Sequence, residues 1–141
     1  MSAITLPELN ILLIDDSRSI RAVLKTLLRG LGVTRVWESR DAEDALVVAR
    51  LCRPDVALVD YDLGQASGLD AIARFRDPGL SPDTGLPMIL LAPSCLPHIV
   101  RGAEAAGVNA ILPKPVNAAT LGRRILDIFE QARALPLRAA G

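Results

Sequence analysis

Three short runs of the chain carry no polar side chain: Ile11-Leu12-Leu13-Ile14, Val56-Ala57-Leu58-Val59 and Met88-Ile89-Leu90-Leu91. They lack the polar alternation of a strand with one wet face, and they are too short for buried helices. Such runs suit strands covered on both sides, which restricts the chain to a sheet sandwiched between helices. Two weaker candidates, Thr34 to Glu38 and Asn109 to Leu112, carry more polar residues and fit the edges of the same sheet. Helical patterns stand between the strands. Ile20, Val23, Leu24, Leu27, Leu28 and Leu31 recur at three- and four-residue steps, with Ser17 as a cap and Gly30 or Gly32 as the end. A second helix starts near Asp41 and presents Ala42, Ala45, Leu46 and Ala49. Leu69, Ile72 and Phe75 define a short third helix, and Ile99, Ala103 and Ala106 a fourth that Gly107 stops. Leu121, Ile125, Ile128, Phe129 and Ala132 mark the fifth.

Five β-α units in succession predict an α/β fold, a doubly wound five-stranded parallel sheet with five helices on its two faces, because right-handed crossovers must cover the sheet. Apolarity suggests the order. Strands one, three and four are inside and strands two and five are edges, which agrees with 2-1-3-4-5. The longest punctuated loop, DPGLSPDTGLP from Asp77 to Pro87, separates helix three from strand four. The domain is drawn as 8–132, with an N-terminal extension at 1–7 and a loosely attached C-terminal tail at 133–141.

Composition narrows the function. The chain has 141 residues, half of them apolar, which suits one domain with an ample core. Sixteen basic side chains balance sixteen acidic ones, and aromatics are only 3%, so neither nucleic acid nor a membrane surface is an expected partner. No apolar stretch approaches the ~18 residues of a membrane span. The opening MSAITLPELN lacks a basic start and an apolar signal core, so a cytoplasmic location is expected. Cys52 and Cys95 show no metal-ligand or redox spacing and are expected as two buried, reduced thiols.

In such a sheet, ligands gather outside the C-terminal ends of the strands. Asp15 and Asp16 follow strand one, Asp60 follows strand three, and Lys114 follows strand five. Pro93 and Ser94 lie in the loop beyond strand four. Clustered carboxylates repel one another unless protonated or neutralised, and a hard divalent cation with oxygen ligands, magnesium above all, resolves the conflict. The simpler reading of Asp15-Asp16, a charge pair on a helix dipole, leaves Asp60 and Lys114 at the same rim unexplained.

Together these residues resemble a bacterial two-component response-regulator receiver domain. The matching motifs are ILLIDDS at 11–17, DVALVDYDLGQASGLD at 55–70 and GVNAILPKP at 107–115. The resemblance implies a flavodoxin-like fold. It also implies that Asp60 accepts a phosphoryl group from a histidine kinase or phosphotransfer protein. Magnesium would be held by Asp16 and Asp60, by Asp15 through a water and by the backbone carbonyl of Asp62. Lys114 would pair with Asp60 and then with a phosphate oxygen, and a cis Lys114–Pro115 bond is typical of the family. The partner surface it implies is the face of helix four, strand five and helix five.

The sequence departs from the family pattern at two positions. Ala92 stands where a Thr or Ser hydroxyl ends strand four, and Ile111 where an aromatic residue occupies strand five. Both ends of the usual switch relay are therefore replaced, with Ser94 as a candidate substitute hydroxyl. Two competing readings follow. One is a degenerate receiver that binds partners irrespective of phosphate. The other is a magnesium-dependent phosphohydrolase, from the DxD spacing of Asp60-Tyr61-Asp62. His98 and Trp37 are read as a surface or cap residue and a ring packed beneath a helix. Arg18, Arg21, Arg101, Arg123 and Arg124 are read as solvated helix-face charges.

Overall fold

The two-sided strands and the helices between them assemble as the alternation requires. A computed structural model describes residues 5–134. The central strands are β1 (Asn10–Ile14), β3 (Val56–Asp60) and β4 (Met88–Ala92), flanked by β2 (Arg35–Ser39) and β5 (Ala110–Pro113). The sheet order is β2-β1-β3-β4-β5, and every pairing is parallel. This is the flavodoxin-like order 2-1-3-4-5 expected from the apolarity of the strands.

Five helices cover the sheet: α1 (Arg18–Gly30), α2 (Ala42–Cys52), α3 (Gly68–Phe75), α4 (Pro97–Ala106) and α5 (Ala118–Arg133). Strand side chains alternate between two cores. Leu12, Ile14, Ala57, Val59, Met88 and Leu90 pack with α2, α3 and α4, and Ile11, Leu13, Val56, Leu58, Ile89 and Leu91 pack with α1 and α5. Burial on both faces is what the unbroken apolar tetrads demand. Side-chain caps start the helices. Ser17, Asp41, Ser67 and Asn117 accept from the backbone N–H of Ile20, Asp44, Leu69 and Thr120.

Several local expectations are corrected. The edge strands each run one residue later than predicted, because Ser39 closes the ladder opposite Ile14 and Pro113 lies opposite Ala92. In α1 only Leu24 and Leu28 are fully buried, while Ile20 and Val23, on the flank of the stripe, stay exposed. Trp37 is 39% exposed rather than packed beneath a helix, since β2 has no strand beyond it to cover so large a ring. Neither thiol is buried. Cys52, in the last turn of α2, is half-buried, and Cys95, in the loop before α4, is exposed. Two features had no clear sequence signal: a 3-10 turn at Leu6–Glu8 and a hairpin pairing Asp62–Leu63 with Ala66–Ser67. Leu6 packs against the α1/α5 core, so part of the expected N-terminal extension is folded onto the domain. The tail from 135 onward lies outside the described residues.

Candidate acidic site at the strand ends

β1 and β3 are neighbours in the sheet, so the residues at their C-terminal ends must meet. Asp15, Asp16 and Asp60 each offer a carboxylate oxygen, and these atoms all lie within 4.8 Å of one another. Asp15 is 1% exposed and Asp60 6%, whereas Asp16 faces solvent. From the far side of the sheet, β5 delivers Lys114, whose N–H donates to the carbonyl of Ala92 at 2.8 Å. Its Nζ lies 2.6 Å from Asp60 Oδ1, an ion pair with the buried carboxylate. The Lys114–Pro115 peptide is cis.

Asp15 carries the electrostatic strain of the cluster. Burial, with the charges of Asp60 and Asp16, raises its carboxyl to about 6, against the opposing effect of the Ser17 N–H and Lys114. Ser17 N–H donates to Asp15 Oδ1 at 2.9 Å, but the buried Oδ2 has no hydrogen-bond partner. A buried anionic oxygen without a donor is costly, and a hard cation is the group that three converging carboxylates fit.

Two glycines allow the β3–α3 connection to close over this rim. Gly64 has φ +78, and a Cβ there would come within 2.9 Å of Asp16 Oδ2. At Gly68 a Cβ would stand 2.1 Å from the carbonyl oxygen of Asp60, so only glycine admits the start of α3. The hairpin holding Asp62 thus abuts the carboxylates. The Asp62 side chain turns to its own loop, where Oδ1 accepts from Gly64 N–H at 3.0 Å. Both glycines lie within the 55–70 motif, but the close approach that requires them shows only in the fold.

A family model described as "Response regulator receiver domain" matches residues 11–126. The chain belongs to the response-regulator receiver family. It is 31% identical over 132 residues to chemotaxis protein CheY-3 of Vibrio cholerae, covering 93% of this chain and 99% of that protein. Chemotaxis protein CheY of Pseudomonas aeruginosa is also 31% identical, over 124 residues, covering 87% and 98%. Among solved structures, chemotaxis protein CheY4 of Vibrio cholerae superposes with a TM-score of 0.76 at 26% identity, covering 85% of this chain and 98% of that one. The protein is therefore a CheY-like receiver domain, of the kind that serves two-component phosphorelay signalling.

Ala92 and Ile111 lie on β4 and β5, the two strands beyond β3 in the sheet. Ala92, wholly buried, ends β4, and Ile111 is half-buried against the α2/α3/α4 core. Ser94 is half-buried in the loop after β4 and makes no hydrogen bond among the described residues. His98, in the first turn of α4, is exposed. Arg18, Arg101 and Arg123 are exposed as expected of solvated charges, but Arg124, beside the buried Ile125 of α5, is half-buried, and so is Arg21. Its side chain is 15% exposed and bound on both sides, to Glu38 and to the Asp15 carbonyl, because the first turn of α1 lies against the β1–β2 edge.

Proposed function

We propose that the domain accepts a phosphoryl group on Asp60 and signals through protein–protein contacts. The observation that carries this reading is the junction of three carboxylates within 4.8 Å with the Lys114 ammonium 2.6 Å from Asp60. Asp16 and Asp60 would hold magnesium through their carboxylates, Asp15 through a water and Asp62 through its backbone carbonyl. Bound there, the cation supplies charge neutralisation for an incoming phosphoryl group.

In the transfer, an Asp60 carboxylate oxygen forms a bond to phosphorus as the bond from phosphorus to the donor's imidazole nitrogen breaks. The electron pair of that bond leaves with the imidazole. Lys114 moves its charge from the carboxylate to a phosphoryl oxygen, holding the equatorial charge that develops. Asp15 and Asp16 keep the rim anionic enough to retain the cation. The donor is a histidine kinase or phosphotransfer protein, the signalling unit spans 8–132, and the setting is cytoplasmic. Among the described residues no helix is long and apolar enough to cross a membrane.

With Ala92 and Ile111 in place of the hydroxyl and the aromatic ring, acceptance of phosphate is separated from the usual relay to the α4–β5–α5 face, and Ser94 is the candidate for a replacement hydroxyl. Acetyl phosphate or beryllofluoride with magnesium, read by intact mass and NMR, tests the proposal. A modification confined to Asp60 and lost in Asp60→Asn is expected. An unmodified chain would overturn acceptance and leave a phosphate-independent binding module. Turnover of a phosphomonoester lost in Asp62→Asn would point to a hydrolase instead.

A further inference from the structure

We infer that Arg21 is a positioning residue for the acidic site: braced by Glu38, its guanidinium holds the peptide that joins Asp15 to Asp16 and so keeps both carboxylates in the cluster. The inference rests on the metal-binding reading above and adds a residue to it.

The peptide between the two aspartates lies where the sheet stops helping. Asp15 N–H still donates to Ser39 O at 3.1 Å, but β2 ends at Ser39, and the N–H of Asp41, which a continuing parallel ladder would bring to the Asp15 carbonyl, makes no hydrogen bond to it. The Asp15 carbonyl therefore receives no donor from β2. Arg21 Nη1 donates to it instead. That carbonyl belongs to the peptide linking Asp15 and Asp16, so a rotation of the peptide plane displaces both carboxylates at once.

The guanidinium is itself fixed. Its Nε donates to Glu38 Oε1 at 3.1 Å, and the other carboxylate oxygen of Glu38 takes Lys25 Nζ at 3.1 Å. Arg21 N–H donates to Ser17 O at 3.0 Å within the first turn of α1, and Ser17 N–H holds Asp15 Oδ1. One side chain thus ties α1, β2 and the end of β1 together around the aspartate pair.

A guanidinium this near a cation site carries a penalty, and Glu38 offsets it. Burial alone would raise the Glu38 carboxyl, but hydrogen bonds and charge from Lys25 and Arg21 outweigh burial and lower it, so Glu38 is anionic at neutral pH. The two roles open to Arg21 then predict opposite signs. If its charge matters most, removing it tightens magnesium binding. If its hold on the peptide matters most, removing it weakens binding.

Magnesium titration of the full 141-residue chain by calorimetry, with folding followed by circular dichroism, separates these cases. Arg21→Gln is expected to bind magnesium about 10-fold or more weakly while staying folded, the scale of loss typical when a group that orients a metal ligand is removed. Arg21→Lys keeps the charge but loses the two-sided fork, and is expected to remain weakened. Lys25→Gln touches Glu38 but not Asp15, and is expected to leave the affinity within about 2-fold, as for an exposed charge. Unchanged or tighter binding by Arg21→Gln overturns the inference, and if that variant does not fold, wild-type affinity in Arg21→Lys does so. A wild-type chain that fails to bind magnesium overturns the underlying metal reading instead.

Discussion

The two ends of the sheet meet the need to satisfy buried polar groups in opposite ways. At the carboxyl ends of the strands, Asp15, Asp16 and Asp60 crowd together with Lys114 as their cation, and one buried oxygen of Asp15 has no donor. At the amino ends of β4 and β5, Arg76 spreads its guanidinium over acceptors from separate segments. It donates to Gly107 O at 2.9 Å, Thr84 O at 2.9 Å and Asn109 Oδ1 at 2.8 Å. Asn109 Oδ1 also receives the N–H of Met88 at 2.8 Å, so the clasp joins α3, the loop before β4, the end of α4 and the entry to β5. Charge is spread and paired at one end and concentrated at the other. The paired end serves folding, and the crowded end costs stability until something arrives to neutralise it.

The largest expected effect falls on the paired end. Arg76→Met keeps much of the stem but removes the donors, and should lower unfolding free energy by about 2–4 kcal/mol, the scale of several charge-assisted hydrogen bonds. Denaturant unfolding reads the loss, while magnesium affinity should stay at the wild-type value. A loss below about 1 kcal/mol would mean that the two rims differ less than their geometry implies.

The crowded end should behave in the opposite sense. With a chelator present, Asp15→Asn is expected to stabilise the fold at pH 7 by roughly 1–3 kcal/mol, because an anionic Asp15 must be buried among like charges. Its folded value, about 6, lies above the ordinary carboxylate value, so the native chain holds the proton more tightly than the unfolded one. The advantage of the variant should therefore be absent below about pH 4, grow between about 4 and 6, and level off above. Saturating magnesium should shrink or reverse it. Stability curves of both chains across this range, with and without the metal, check the sign.

Two smaller effects sharpen the contrast. Gly64→Ala would place a methyl group against the Asp16 carboxylate at a positive φ, and should cost about 1–2 kcal/mol together with weaker magnesium binding. Thermal unfolding and a metal titration of the same variant read both consequences. Glu38→Gln should cost no more than about 1 kcal/mol, since the ion pairs to Arg21 and Lys25 are partly solvated. The Glu38 carboxyl is lowered, so the stability it contributes is present above the ordinary carboxylate value and is lost as pH falls through its folded value. A difference between wild type and Glu38→Gln that persists in strong acid would contradict that assignment.

Burial on two faces left its mark on the apolar tetrads of β1, β3 and β4, which is why the strands, their order and the rim where Asp15, Asp16, Asp60 and Lys114 meet could be read from the chain alone. Periodicity likewise placed five helices, and Gly107 and Asp41 marked an end and a start where the structure has them. What escaped the sequence depended on contacts between distant segments. Trp37 is an ordinary strand residue until the edge leaves it uncovered, and Arg21 is an ordinary helix charge until the fold sets Glu38 and the Asp15 carbonyl on either side of it. The lone oxygen of Asp15, the clasp around Arg76 and the glycine approach at Gly68 are of the same kind. Side-chain pattern along the chain reports whether a residue meets water or core. Which partner a polar group finds, or fails to find, is decided only when segments far apart in sequence are packed within hydrogen-bond reach.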